Sequence, residues 1–193
     1  MPQVTHPVPP LPRATDRLVL RRPSPEYAEL IQTAIEETFA DLHQWMPWAK
    51  ELQTLAQTRD FLRDAERKFL DGEDFVVSGF HTQSGEFVLN TGLHPRNWSV
   101  PKFEIGFWCR AASQGQGYVT EAVKALTEIA FRDMRAKRLE IRCDTTNTGS
   151  RRVAELSGYR LEGELRSDDR ANDGSLRDTA VYVLLAEDIH PET

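Results

Sequence analysis

Apolar residues recur along this chain in two rhythms, and the switches between them mark its elements. Leu18 and Leu20 alternate with polar neighbours and the run stops at Pro23, which predicts a strand. Ser24 then stands as an N-cap, with Pro25 at the first helical position. Tyr27, Leu30, Ile31, Ala34 and Ile35 follow at helical spacing until Pro47 breaks the run. A second helical stretch starts near Thr54 and is closed by Gly72.

The middle of the chain turns to strand. "DFVVSGFH" and "GEFVLNTGLH" read as a hairpin across the turn "TQSG". "KFEIGFWCR" places Phe103, Ile105, Phe107 and Cys109 on one face, with Glu104, Gly106 and Trp108 on the other. A longer helix carries Val119, Ala122, Val123, Leu126, Ile129, Ala130 and Met134 as one stripe, and basic residues gather at its end. "RLEIRCD" is a further short strand. "NTGSRRVAELSGY" reads as a loop into a short helix that begins at Arg151 and stops at Gly158. "YRLEGELRS" and "SLRDTAVYVLLAED" are strands joined at "ANDG". The order predicts one mixed α/β (α+β) domain, with about seven strands and about four helices. Residues 1–14, rich in proline, read as an extended, poorly ordered lead-in, and residues 189–193 as a tail.

Composition narrows the chemistry. A length of 193 residues suits one domain with a substantial core. The net charge of -6 lacks the basic face that a direct nucleic-acid binder needs. No apolar run approaches the ~20 residues that cross a bilayer, so no membrane partner is expected. The first residues lack a secretory leader pattern, and Cys109 and Cys143 are too few for a disulfide framework or a zinc site. A reducing, cytoplasmic setting is the expectation. His6, His43, His81, His94 and His190 show no metal-ligand spacing, so no metal is expected.

The strongest local signal is "SQGQGYVTEA", which puts Gly115 and Gly117 at the mouth of the long helix. A phosphate-binding P-loop needs a Lys-Ser or Lys-Thr pair after the last glycine, and there is none. A dinucleotide fingerprint needs a third glycine inside a parallel βαβ unit, and here a hairpin precedes the strand. What survives is a strand, a glycine turn and free N–H groups at a helix start, which together make an anion site. Glycines that only relieve crowding are the plain alternative.

The segments around that turn resemble the GNAT superfamily of acyl-CoA-dependent N-acyltransferases, in its RimJ/RimL ribosomal-protein branch. The family signature [Q/R]-x-x-G-x-[G/A] is matched by Gln114, Gly115, Gln116, Gly117, Tyr118 and Val119, with Val119 departing from the usual Gly or Ala. "TDRLVLRRP", "WMPW", "EIGFWC", "NTGSRRVAELSGYRLEGELR" and "DGSLRDTAVYVLLAED" agree in order over residues 15–188. The resemblance implies a splayed parallel pair of strands, "EIGFWC" and "RLEIRCD", with the pantetheine arm of acetyl-CoA between them. It implies that the N–H groups of Gln114 through Val119 hold the pyrophosphate, and that Asn147 meets the pantetheine amides. Arg151 or Arg152 would reach the CoA phosphates. A backbone N–H near Phe107, Trp108 or Cys109 would stabilise the oxyanion.

The amine would attack the thioester directly. Glu104 and Glu162 are the carboxylates that the resemblance offers as base; as plain charges they would be a solvated strand residue and a salt-bridge partner. The tyrosine that many relatives use as acid is replaced by Ala154, so Ser150 is the candidate donor to the thiolate. Its alternative is an N-cap for the helix at Arg151. Trp45, Met46 and Trp48 would line the amine-acceptor pocket or simply pack, and Cys109 reads as a buried core thiol rather than a nucleophile. The implied activity is acetyl transfer from acetyl-CoA to a primary amine, foremost a protein N-terminal α-amine. A small-molecule amine and a non-catalytic acyl-CoA-binding module are the other readings, and a homodimer is common in such enzymes.

Overall fold

The computed structural model describes residues 6–189. Among them, eight strands form one sheet in the order β1-β2-β3-β4-β5-β6-β8-β7. These are β1 (Arg13–Ala14), β2 (Leu18–Arg21), β3 (Phe75–His81), β4 (Phe87–Asn97), β5 (Lys102–Cys109), β6 (Arg138–Asp144), β7 (Arg160–Arg170) and β8 (Leu176–Leu185). The helices are α1 (Ala28–Trp45), α2 (Leu55–Asp71), α3 (Tyr118–Arg132), α4 (Thr148–Leu156) and α5 (Ala186–Ile189).

Local chemistry sets most boundaries. Ser24 accepts from the Glu26 N–H at 3.3 Å and opens a 3-10 turn over Pro25–Tyr27, which leads into α1. Thr54 and Gln57 exchange hydrogen bonds as a capping box at the start of α2. Gly72 ends that helix at φ 73°, where a side chain would be strained. The apolar stripe of α3 packs on Phe75, Leu89, Leu93, Phe103 and Ile105 to form the larger core. A second cluster joins α1 and α2 to Phe80 and Phe87.

Among the described residues, β5 and β6 are the parallel neighbours, and their ladder is short: Lys102–Arg138, Phe103–Leu139 and Glu104–Glu140. Beyond Glu104 each strand follows its own antiparallel partner, β5 with β4 as far as Cys109 and β6 with β8 as far as Asp144. The sheet therefore opens between them. The expected splayed pair is present for this reason.

Three expectations need correction. The lead-in is ordered from His6 onward: its ring stacks on Trp98 at 3.9 Å between centroids, and Arg13–Ala14 pairs with β2. Residues 1–5 lie outside the described part, as do residues 190–193 of the expected tail. The last strand stops at Leu185 rather than Asp188, because the Asp188 carboxylate accepts the Leu185 N–H at 3.1 Å and closes a helical turn. The two-residue β1 and the four-residue α5 are also why strand and helix counts exceed the expected ones, since so few residues carry no period.

Candidate functional site

The glycine turn sits where β5 leaves the sheet. A 3-10 turn over Ala111–Ser113 ends in extended Gln114, and then Gly115 and Gly117 adopt left-handed backbone at φ 71° and φ 81°. Gly117 is the N-cap of α3, with no side chain serving the first turn. Among the described residues, the backbone N–H groups of Gly115 through Thr120 have no acceptor. Six such donors at the positive end of a 15-residue helix are chemistry that suits an anion.

Two sets of contacts fix the turn. On one side Arg17 donates to Glu121 at 2.7 Å and to the Gln116 carbonyl at 2.9 Å, and lies over the Tyr118 ring, 4.4 Å from its centroid. Thr15 and the Arg17 backbone N–H also donate to Glu121. Burial pushes the Glu121 carboxyl up, but these hydrogen bonds outweigh it and hold it below the usual carboxylate range. On the other side α1 docks. Arg110 makes a paired bond to Glu37 at 2.6 and 2.9 Å, Thr38 accepts from the Ala111 N–H, and Gln114 donates to Asp41 at 3.0 Å.

A cleft of about 640 Å³ runs from this turn between the ends of β5, α3, α4 and α1. Phe107, Trp108, Cys109, Gln114, Gly115, Gly117, Tyr118, Val119, Asn147 and Arg152 all line it, as do Ser150 and Trp45. Gln116 is the exception among the predicted turn residues. Its side chain folds back to donate to the Ala112 carbonyl at 3.0 Å, and it does not line the cleft. The Arg110 N–H bonds the Val88 carbonyl at 2.9 Å, which sets the phase of the β4–β5 ladder. By alternation, Phe107 and Cys109 turn their backbone groups toward the open edge beside β6. Cys109 is not the buried core thiol expected but a half-buried residue at the cleft; what burial it has pushes its thiol up to about 12, so it stays protonated at neutral pH.

On α4 the assignment of the cap changes. The helix begins at Thr148 rather than Arg151, and Asn147 is its N-cap, accepting from the Ser150 N–H at 3.0 Å. Ser150 is thus the third helical residue, and its hydroxyl has no partner among the described residues. Arg151 turns away to Tyr182, Glu164 and the Thr145 carbonyl, which leaves Arg152 as the arginine of this pair at the cleft. Ala154, in the place of the missing tyrosine, is fully buried.

The two carboxylates are not brought to the cleft. Glu104 bonds Arg96 at 3.1 Å, and Glu162 forms a paired bond with Arg138 that holds its carboxyl below the usual range. Neither lines the cleft or a second cavity of about 330 Å³ between α1, α2 and β3–β5. Trp48 lines that second cavity, 6.4 Å from Trp108 between ring centroids. Met46, Phe107 and Trp108 line both spaces, so they meet there.

Several positioning residues left no sequence signal. Asn172, at the tip of the β7–β8 hairpin, donates to the His43 and Met46 carbonyls at 2.7 and 3.0 Å. Arg177 donates to the Trp45 carbonyl at 3.3 Å. The hairpin thereby pins the segment carrying Trp45 and Trp48 from a distance of more than a hundred residues along the chain. Arg17 and Glu121 are equally remote from each other, and only their contact reveals them.

Comparison with known proteins follows the same outline. A family model described as "Acetyltransferase (GNAT) domain" matches residues 17–160. A Bacillus subtilis (strain 168) protein named "Putative ribosomal N-acetyltransferase YdaF" is 25% identical over 174 residues, covering 90% of this chain and 93% of that one. The ribosomal-protein-serine acetyltransferase of Escherichia coli (strain K12) is 36% identical over 70 residues, which is 36% of this chain and 39% of that protein. Among solved structures, the ribosomal L7/L12 alpha-N-protein acetyltransferase RimL in complex with coenzyme A superposes with a TM-score of 0.84 at 20% identity. That match covers 91% of this chain and 98% of the other, and it bears on the fold alone. With a family model spanning most of the chain, a sheet opened between β5 and β6 and a glycine turn at the opening, the chain belongs to the GNAT acetyltransferase family.

Proposed function

We propose that this enzyme transfers an acetyl group from acetyl-CoA to a primary amine, foremost the N-terminal α-amine of a protein. The observation that carries the reading is the run of N–H groups from Gly115 to Thr120 that have no partner among the described residues, beside a cleft lined by the end of β5 at Phe107, Trp108 and Cys109. Such a run of donors fits a pyrophosphate, and the exposed backbone edge at Phe107 and Cys109 fits an amide-bearing arm. RimL, whose fold this chain shares, is described with coenzyme A bound, and relatives carry names as ribosomal-protein acetyltransferases.

The chain's residues divide the work. The turn and Arg152 hold the phosphates, and the Asn147 amide and the β5 edge hold the arm. A backbone N–H at the β5 edge steadies the oxyanion as the amine adds to the thioester carbonyl. The Ser150 hydroxyl, free of capping duty, donates to the departing thiolate. An α-amine has an ordinary pKa of about 7.7–8.0, so a useful fraction is already neutral near pH 7.5.

The test is acetyl-CoA consumption, followed as free thiol, with peptides bearing a free α-amine, polyamines and aminoglycosides as acceptors. Peptide-dependent release is expected. Tight CoA binding with no release on any amine would defeat the reading.

A further inference from the structure

The second cavity holds an ionisable pair that, among the described residues, has no arginine or lysine partner. His94 on β4 and Asp74 just before β3 meet there, Nδ1 to Oδ1 at 2.7 Å. Asp74 and His94 are the titratable groups among its lining residues; the rest are apolar or neutral, with Ile31, Ile35, Phe61, Val76, Trp48 and Trp108 forming its walls. Charged groups further out are already engaged. Glu104, the cross-strand neighbour of His94, bonds Arg96, and Lys68 pairs with Asp64 while feeling the Asp74 charge.

The imidazole has a place built for it. Gly92 and Gly106 face each other across β4 and β5. A Cβ on Gly92 would come within 2.9 Å of His94 Nε2 and of the Phe75 carbonyl oxygen. On Gly106 it would stand 3.4 Å from the same nitrogen. Two glycines thus clear the strand surface over which Nε2 lies. An ionised Asp74 accepts hydrogen bonds only, so the Nδ1 it meets must carry the proton. In the neutral ring Nε2 is then a bare lone pair, and it has no partner among the described residues.

We infer that His94 is the proton acceptor for the attacking amine, that Asp74 positions it, and that this cavity seats an amine whose neighbouring group is apolar. The inference rests on the acetyl-transfer reading above. The cavity and the cleft share Met46, Phe107 and Trp108 as walls, so an amine seated in one and a thioester in the other would meet at that shared wall. The step balances. The neutral amine nitrogen forms a bond to the thioester carbonyl carbon and passes its surplus proton to Nε2. The C–S bond breaks, the thiolate takes a proton through Ser150, and His94 returns its own to solvent. Glu104 and Glu162 cannot do this while held by Arg96 and Arg138.

The experiment compares phenylalaninamide, leucinamide and serinamide as acceptors for wild type, His94→Gln, Asp74→Asn and Gly106→Ala. Wild type should favour the two apolar amides. His94→Gln should lower kcat by ~10²-fold while the KM for acetyl-CoA stays within about twofold. Asp74→Asn should lower kcat while the KM for acetyl-CoA stays within about twofold, and Gly106→Ala should keep the melting temperature yet slow turnover by bringing a methyl group into contact with Nε2. Turnover of His94→Gln within about twofold of wild type would overturn the dyad and leave acetyl transfer standing. NMR decides the pocket even without turnover: phenylalaninamide should shift the His94 ring signals when CoA is bound, and unmoved signals at saturating amide would overturn it. Wild type that binds acetyl-CoA and acetylates no amine would overturn the acetyl-transfer reading, and the proton-acceptor role with it.

Discussion

Arg17 holds Glu121 by a 2.7 Å bond from its Nε, joining the loop before β2 to the first turn of α3. That bond, with the arginine's second hold on the Gln116 carbonyl, braces the glycine turn from outside.

Loss of the brace should be felt at the turn and should depend on pH with a definite sign. The Glu121 carboxyl lies below its usual value of 4.5 in the folded state. Its contribution is therefore complete above pH 4.5 and is lost as pH falls through the lower folded value. Glu121→Gln should cost about 1 kcal/mol at pH 7, a modest figure because Arg17 is well exposed, and should flatten the acid side of the stability profile. Thermal melts from pH 7 to pH 3 check this, and the KM for acetyl-CoA should rise severalfold.

Ser150 separates stability from chemistry because Asn147 already caps α4. Ser150→Ala should leave the melting temperature nearly unchanged and reduce kcat by ~10²-fold, the low end for a general acid. Asn147→Ala should do the reverse for stability, costing about 1 kcal/mol as a lost cap. Unchanged turnover in Ser150→Ala would leave the thiolate to solvent.

Cys109 and Cys143 should both resist alkylation in the folded protein. Burial lifts their thiols to about 12 and about 11, so the reactive thiolate is scarce at pH 7.5. Mass spectrometry after iodoacetamide should find neither modified until denaturant is added, and Cys109→Ala should keep acetyl transfer.

Asn172 supplies a remote test of the acceptor side. Asn172→Ala removes both bonds to the Trp45–Trp48 segment. The KM for the amine should rise several-fold, while the KM for acetyl-CoA changes little. Equal changes in both would mean that the hairpin tip supports the cleft as a whole.

How far the sequence reached depended on the range of each interaction. Alternation in "KFEIGFWCR" assigned the two faces of β5, and the glycines with their flanking motifs located the turn, since strand period and left-handed turns are local. The cap of α4 was misread by three residues because serine and asparagine both serve that role, and only the backbone distinguishes them. A salt bridge was the alternative reading of Glu162, and Arg138 supplies it; that Arg138 and, for Glu104, Arg96 would be the partners was not legible, because they sit on other strands.

By itself, then, the sequence determined the order of the longer elements, the glycine turn at the start of α3, the family and the apolar faces that build the core. The tertiary structure decided which side chains share a space. Helix and strand periods are written within a few residues, whereas Arg17 with Glu121, Asn172 with the tryptophan segment, and Asp74 with His94 meet only when the sheet closes. Pairings across the sheet depend on the joint packing of distant segments, and no local pattern in "LHP" or "EDF" announces an imidazole laid over two glycines beside a carboxylate.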